Sequence, residues 1–272
     1  MTGIYDYWEV GVTYKQQWAA FDDAPRTIMA SFQYPFTDKN MSLGLFVMHD
    51  KTHPLLFNSI GFTYNYQFKL NLFDEDYLSI GLLGTYGEYR LDVNNIIVSD
   101  TNDPLTPLDG TSKISPNAGA GFFYTTNKDK FYNNTFYIGM GIQQLFSNNL
   151  KFDGSDQEIN FMRAPHANLM LGATILFNAD TYIEPSVWVN YASENLFDIN
   201  AGIRIEQEDR FWAAANVNVA QNFSLQGGLI LTDGFFEDGQ MRIGGMATYN
   251  VGALGSSLGL GYEFYLAYRF YN

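Results

Sequence analysis

Period-two alternation of apolar and polar residues runs along almost the whole chain, and it limits the possible folds more than any other feature. In WEVGVTYKQQW, residues 8–18, Val10, Val12 and Tyr14 share one side of an extended strand, and the odd-numbered residues between them are polar or glycine. About fourteen runs follow this pattern, and helical spacing predominates in none of them. The predicted strands are Trp8–Trp18, Arg26–Tyr34, Met41–Asp50, Ser59–Leu72, Tyr77–Leu91, Ile114–Thr126, Thr135–Phe146, Pro165–Phe177, Thr181–Tyr191, Leu196–Glu206, Arg210–Val219, Phe223–Leu231, Met241–Asn250 and Leu258–Phe270. The sequence therefore predicts an all-β protein.

The connections between these runs differ in length. The short ones are polar turns at 36–40, 73–76, 178–180 and 207–209, whereas long ones occupy 92–113 and 147–164. With both termini on one side, the odd-numbered connections are predicted to be the long ones. Short turns on one side and longer loops on the other are typical of outer-membrane barrels.

The expected width of a fourteen-stranded barrel decides which side of each strand faces inward. Side chains fill the interior at around eight strands, whereas sixteen to eighteen strands leave an aqueous channel. The apolar side must therefore face lipid, where only helices and closed barrels satisfy their backbone groups. We predict a transmembrane antiparallel β-barrel over residues 1–272, located in the outer membrane, with outer-membrane lipid around it.

Composition agrees with this interpretation. Charged residues make up 16% of the chain and aromatic residues 17%, so part of the surface is expected to avoid water. A net charge of -14 argues against nucleic-acid binding. The longest apolar run, Leu169–Phe177, is shorter than a spanning helix requires. The first residues do not have the pattern of a signal peptide, and we expect that segment to be missing from this sequence together with a short mature N-terminus.

Aromatic residues near the strand ends are expected to form girdles at the membrane interfaces. They are Trp8, Trp18, Tyr34, Tyr77, Tyr89, Tyr191 and Trp212.

The predicted inward face carries charges of both signs together with amides. These residues are Glu9, Lys15, Lys69, Glu184, Asp198, Arg204, Glu206, Glu263 and Arg269, with Asn65, Gln67, Gln143, Asn190, Asn200 and Asn216. A hydrogen-bonded wall that braces a wide barrel explains this face, and so does a surface for a ligand or plug. Trp188 and Trp212 share the inward parity, and a bulky aromatic side chain in a lumen needs something to pack on. We take both as candidate partner-binding residues.

Enzymatic and metal-binding interpretations have little support. His49 and His53 lie in a predicted loop, where their spacing does not place both imidazoles on one face. The acidic stretch at 153–158 lacks the spacing of a calcium loop. His166 is the only histidine within a predicted strand, its parity is inward, and no nucleophile motif accompanies it. We expect no catalytic residue, no metal and no cofactor.

Several early motifs resemble the PorP/SprF family of type IX secretion membrane proteins. Thr2-Gly3 fits the end of the family's N-P-A-x-x-G segment, and Tyr14–Trp18 fits its Y-R-x-Q-W, with lysine for arginine. Asp23–Thr27 fits its G-A-P-x-T, with aspartate for glycine. The stretch Leu43–Pro54 resembles the family's G-L-G-x-x-x-x-x-D-x-x-G, and the final AYRF resembles its usual ending.

The resemblance implies a Bacteroidota outer-membrane barrel that works with the type IX secretion and gliding machinery. It implies export and surface attachment of adhesin-like cargo through the cargo's C-terminal domain, and association with periplasmic ring lipoproteins. A passive or ligand-specific channel of the fatty-acid-transporter type is the rival hypothesis, although the expected start of the first strand near residue 8 leaves no room for that type's N-terminal plug. A purely structural subunit of the secretion complex is a third possibility.

The predicted outer rim supplies the remaining candidate contacts. Trp18, Phe21, Asp22, Asp23 and Pro25 are the candidate partner-binding residues there. The rim is expected to be acidic, through Asp22, Asp23, Asp100, Asp103, Asp109, Asp153 and Asp156. A solvated cell-surface face would have the same composition.

Overall fold

Fourteen antiparallel strands close into a barrel. The structure is a computed structural model that describes residues 5–73, 75–92, 114–147, 149–150, 161–162, 164–232, 239–252 and 255–271. The barrel strands are β1 (Tyr7–Gln16), β2 (Arg26–Phe36), β3 (Met41–Thr52), β4 (Leu55–Lys69), β5 (Tyr77–Leu91), β6 (Ser115–Thr125), β7 (Thr135–Gln143), β10 (His166–Asn178), β11 (Thr181–Ser193), β12 (Leu196–Gln207), β13 (Phe211–Asn218), β14 (Asn222–Leu231), β15 (Gly239–Asn250) and β16 (Gly261–Tyr271). Two short strands, β8 (Asn149–Leu150) and β9 (Phe161–Met162), pair only with each other.

The first and last strands close the barrel. β1 and β16 pair antiparallel from Tyr7 opposite Tyr271 to Gln16 opposite Tyr262. Closure leaves no free strand edge, and it satisfies the backbone hydrogen bonds that a bilayer cannot satisfy. The predicted fold class is confirmed.

The register around the barrel fixes which side chains face the lumen. Glu9 lies opposite Arg269 on β16 and Gln33 on β2, and the same parity continues from strand to strand around the barrel. The opposite parity carries large apolar side chains such as Val10, Val12 and Val47, which are exposed on the outside. The outward apolar face predicted from barrel width is therefore confirmed.

The two ends of the barrel differ, and we call the end that holds both chain termini the terminal end and the opposite end the loop end. The connection at residues 92–114 and the one that contains β8 and β9 lie at the loop end. The connections at 53–54 and 194–195 also lie there but contain only two residues each, so the expectation that every connection at this end is long is wrong. By the rule for outer-membrane barrels, the terminal end faces the periplasm and the loop end faces outward.

Aromatic side chains cluster on the outside of the terminal end where β16, β1 and β2 meet. Trp8 stacks on Phe270 with ring centroids 3.5 Å apart, and Tyr34 contacts Phe36 at 4.8 Å. The register corrects part of the predicted girdle, because Tyr77 lies opposite Lys69, Tyr89 opposite Phe57 and Trp212 opposite Glu206, all on the lumenal parity. Trp18 follows the end of β1 in the β1–β2 connection.

The loop predicted at residues 49–53 is also wrong in extent, because β3 continues past the predicted strand end at Asp50 to Thr52. His49 Nδ1 lies 2.6 Å from Asn58 Oδ1 on β4, so a cross-strand hydrogen bond accounts for its position. Helices in the described residues are limited to a short 3-10 turn, Thr37–Lys39, and α1 (Gly255–Leu258), and neither is long enough to cross a membrane.

Candidate functional site

One side of the lumen carries large apolar side chains among smaller polar ones such as Ser31, Asn65 and Asn168. We call the residues Phe46, Met48, Leu83, Phe123, Met170 and Trp188, on β3 to β11, the apolar arc. They line a cavity of about 550 Å³, and Glu9 is the one charged residue that lines it within the described ranges. A volume of this size lies in the usual range for ligand pockets, roughly 300–1,000 Å³.

Glycines let most of these large side chains lie flat against the wall. The ring of Phe46 covers Gly61, and a Cβ added at Gly139 would lie 2.9 Å from Phe123 and 3.1 Å from Met170. Because Phe46, Phe123 and Met170 occupy the space above glycines of neighbouring strands, they leave more of the lumen open.

The two tryptophans that share the inward parity differ sharply in their surroundings. Trp212 is only 7% exposed, and it packs on Gly228 and Gly244 while the Arg204 guanidinium lies 4.5 Å from its ring centroid. Trp188 is 44% exposed and lines the cavity of the apolar arc. The barrel wall itself thus supplies the packing that Trp212 needs, whereas much of Trp188 remains available to another molecule.

The other side of the lumen is rich in amides at the loop end. We call the residues Asn200, Asn216, Asn218, Ser224, Gln226 and Thr248 the amide arc; they line a second cavity of about 430 Å³. Asn200 Nδ2 donates to Asp198 Oδ2 at 2.5 Å, and the Ser224 and Thr248 hydroxyls are 2.9 Å apart. The arc offers hydrogen-bond donors and acceptors with little net charge, since Lys15 and Asp198 are the charged residues among the described lining.

An ionic cluster occupies the wall toward the terminal end. Glu206 accepts from Arg242 Nη2 at 2.5 Å and also from Arg204 Nη2, and the side chains of Glu206 and Arg242 are each 5% exposed. Arg269 Nε donates to Glu9 Oε2 at 2.6 Å across the β16–β1 seam. These pairs support the interpretation of the inward charges as a hydrogen-bonded wall, which the sequence left open against a binding surface.

A lysine from the β6–β7 connection crosses into the terminal end of the lumen. Lys130 Nζ donates to Glu184 Oε2 on β11 at 3.0 Å and lies 5.9 Å from the ring centroid of Tyr5, which precedes β1. The neighbouring Lys128 donates to Asp6 at 3.2 Å. We call Tyr5, Asp6, Lys128, Lys130 and Glu184 the lumenal bridge, because they join the N-terminal segment to strands on the other side of the barrel.

The lumenal bridge contains a cation that stays charged. Burial lowers the pKa of Lys130, but its interactions with Tyr5, Glu184 and Tyr182 outweigh burial and raise the pKa above its ordinary value. Lys130 therefore remains protonated at neutral pH and pairs with Glu184.

Replacing Lys130 with alanine should open the terminal end and weaken the barrel. Glu184 would lose its cation, at a cost of about 1–3 kcal/mol in the free energy of unfolding. We expect a higher single-channel conductance in planar bilayers and a lower unfolding midpoint in urea. Lys39→Ala, in the exposed β2–β3 turn at the same end, is the control. Equal conductance in the two variants would show that the lumenal bridge does not obstruct the lumen.

The predicted rim residues lie together in the β1–β2 connection at the loop end. Phe21, Asp22 and Asp23 are exposed, and Pro25 is half-buried. Trp18 is also exposed, and it lines the cavity of the amide arc. The backbone hydrogen bond from Ala19 N to Leu260 O ties this connection to the start of β16. Asp100, Asp103, Asp109, Asp153 and Asp156 lie outside the described residues.

Sequence reasoning missed the apolar arc apart from Trp188, and the lumenal bridge apart from Glu184. Phe46 and Met48 lie between Leu45, Val47 and His49, and their parity alone would have placed them in the lumen. No such signal exists for Lys130, since a lysine in a polar turn normally faces water.

Comparisons with known proteins agree with the fold. The CymD monoaromatic hydrocarbon channel matches at a TM-score of 0.57 with 11% identity, covering 100% of this chain and 89% of that one. The toluene transporter TbuX of Ralstonia pickettii matches at 0.54 with 10% identity, covering 97% and 89%. A FadL homologue of Pseudomonas aeruginosa matches at 0.52 with 12% identity, covering 97% and 88%. At such low identity these likenesses concern the fold alone. A comparison with curated proteins found no match.

A protein-family model confirms the family membership that the early motifs indicated. The model of the type IX secretion system membrane protein PorP/SprF matches residues 1–268. Together with the closed barrel and its lipid-facing apolar surface, this match identifies an integral outer-membrane protein. The chain belongs to the PorP/SprF family of type IX secretion system membrane proteins.

Proposed function

We propose that this barrel retains secreted adhesin-like proteins at the cell surface by binding their C-terminal domain in its lumen. The exposed indole of Trp188 on the wall of a 550 Å³ cavity is the observation that carries the proposal. Tryptophan is enriched among the residues that dominate binding energies, and such residues usually occupy a pocket in one of the partners. Membership of a type IX secretion family makes a secreted protein the natural candidate.

The rim residues would make the first contact with the cargo. Trp18 and Phe21 are exposed aromatic side chains, with Asp22, Asp23 and Pro25 beside them. Their connection borders the amide arc through Trp18. A segment that enters the lumen from outside would therefore pass them before it reaches Trp188.

The terminal end is the proposed contact for the ring lipoproteins of the secretion and gliding machinery. It faces the periplasm by the loop-length rule. Its turns carry the acidic residues Asp129, Asp180, Glu208 and Asp209, and burial followed by the carboxylates of Asp209, Asp180 and Asp129 raises the pKa of Glu208. An anionic periplasmic rim of this kind would favour a basic partner surface.

Trp188→Ala should weaken cargo retention and leave the barrel folded. Truncation of a tryptophan at the centre of an interface typically costs about 2 kcal/mol or more, so we expect at least a tenfold lower cargo recovery. The assay is a mild-detergent pull-down from the native outer membrane, with mass spectrometry of the proteins recovered. Trp8→Ala is the matched control, since it removes the same side chain from the lipid-facing girdle.

The same pull-down separates the rival functions. Recovery of large secreted proteins that share a C-terminal domain supports a cargo anchor. Recovery of ring lipoproteins alone favours a structural subunit of the machinery. Equal cargo recovery by Trp188→Ala and Trp8→Ala would contradict binding of cargo in the lumen and would leave the rim as the contact surface.

A ligand-specific channel is the second candidate, because the apolar arc lines a cavity of a size suited to a small apolar molecule. Conduction by the purified protein in a planar bilayer, with no protein recovered alongside it, would favour this function over cargo anchoring. An enzymatic role has no support from the family or the fold.

A further inference from the structure

The two arcs of the lumen have different chemistry and adjoin one another. On β11 and β12, Trp188 of the apolar arc lies opposite Asn200 of the amide arc. From there the apolar arc extends through β10 toward β3, and the amide arc extends through β13 toward β1. An occupant that contacts both arcs therefore meets mainly large apolar side chains on one side and hydrogen-bonding side chains on the other.

An extended polypeptide matches such a lumen when its side chains alternate in polarity. Successive side chains of a strand point to opposite sides, so an amphipathic strand has one apolar and one polar face. Contact of the apolar face with Trp188 would favour binding, because it removes the exposed apolar surface of that side chain from water. A segment with two apolar faces would instead bury the amides without partners, which is costly.

The amide arc also suits the polypeptide backbone. Each asparagine or glutamine side chain has both donors and an acceptor, as a peptide group has. Asp198 accepts from Asn200 at 2.5 Å and from Asn218 at 3.4 Å through one oxygen, while its other oxygen is buried and has no hydrogen-bond partner in the described part of the chain. The charges of Lys15 and Asp198 have opposite sign, so the lining carries little net charge. It therefore favours a segment without strong charge of its own.

We propose that the lumen holds an amphipathic extended segment of the cargo, with its apolar side chains on the apolar arc and its polar side chains and backbone on the amide arc. This inference rests on the proposed function and specifies the chemistry of the bound segment. A glycan or an acyl chain would satisfy one arc and leave the other unmatched.

Site-specific crosslinking tests the arrangement, and the absence of cysteine from the chain makes each introduced thiol unique. Single variants Met48→Cys and Met170→Cys place a thiol on the apolar arc, and Ser224→Cys and Gln226→Cys place one on the amide arc. Benzophenone-maleimide is attached to each thiol in native outer membranes and photolysed. Mass spectrometry then identifies the crosslinked residues of the partner. Val47→Cys and Leu225→Cys carry the same probe on the lipid side, because each is next in sequence to a lumenal position.

We expect adducts with one short segment of a secreted protein, at a yield at least about tenfold above the lipid-side controls, whose probes point into the bilayer. Apolar-arc probes should label alternate residues of that segment, and amide-arc probes should label the residues between them. Labelling without this two-residue alternation would overturn the inference, as would adducts with lipid or glycan alone. Cargo recovered in the pull-down without lumenal adducts would overturn it while leaving cargo anchoring intact, whereas absence of cargo from the pull-down counts against the proposed function itself.

Discussion

Replacing Glu206 with alanine is expected to lower the free energy of unfolding of the barrel by about 3–5 kcal/mol, the range seen when one partner of a buried ion pair is removed. Glu206 is the shared acceptor of Arg204 and Arg242, and it is almost fully buried with Arg242. The truncated variant would leave two guanidinium groups without their common carboxylate.

The loss of stability should involve more than the two ion pairs of Glu206. Arg204 lies over the ring of Trp212, so its position depends on Glu206 on one side and on the indole on the other. Gln240 accepts from Arg242 at 3.4 Å and donates to Asp209 in the β12–β13 turn at 2.8 Å. Removal of one carboxylate would therefore loosen contacts that link β12, β13 and β15.

Urea titration of the barrel in lipid vesicles, followed by tryptophan fluorescence, measures this effect. Glu75→Ala is the control, because Glu75 pairs with Lys69 at 3.8 Å with both side chains about half exposed. An exposed pair of this kind contributes roughly 0–1 kcal/mol. Similar unfolding midpoints for the two variants would show that the cluster does not hold the wall together.

The lipid-facing half of the fold could be predicted because the bilayer imposes a simple rule. Val10, Val12 and Val47 are apolar because they face lipid, and their alternation with lumenal residues is visible in the sequence. The choice of the outward face needed only the expected strand number and the volume of a wide lumen. Strand positions and the closed topology followed from these two arguments.

The lumenal half was harder to predict, because large side chains there pack on glycines that belong to other strands. Trp188 and Trp212 have the same parity and looked equivalent in the sequence. Whether the indole lies on the wall or projects into the cavity depends on Gly228 and Gly244, which are far along the chain. Only the strand register brings these residues together.

The β1–β2 connection and the lumenal bridge illustrate a further limit. The exposed position of Phe21 and Asp22 could be predicted, because polar connections between strands lie at the barrel ends. The contact of Lys130 with Tyr5 and Glu184 could not be predicted, since it joins residues from three distant parts of the chain. Local sequence patterns do not predict contacts between residues so far apart in the chain.

Gly228→Ala should destabilise the barrel by about 1–3 kcal/mol, as overpacking of a close-packed site typically does. The added methyl group would lie 2.5 Å from Trp212 Nε1 and 2.6 Å from the carbonyl oxygen of Ile243. Movement of the indole relieves only the first contact, and the second requires a shift of β15 that strains its pairing with β14. Displacement of the indole would also disturb Arg204, which lies over the ring.

Gly141→Ala is the matched control for this change, because it adds the same methyl group to a lumenal glycine with free space above it. The nearest atom to the new methyl would be the Ala120 carbonyl oxygen at 3.9 Å. Alanine restricts the unfolded chain more than glycine does, so we expect this variant to be neutral or up to about 1 kcal/mol more stable. Urea titration of both variants makes the comparison, and equal stabilities would contradict the role assigned to glycine in seating Trp212. If Gly228→Ala alone unfolds early, the glycines of β14 and β15 hold Trp212 against the wall, which leaves Trp188 as the exposed indole of the two.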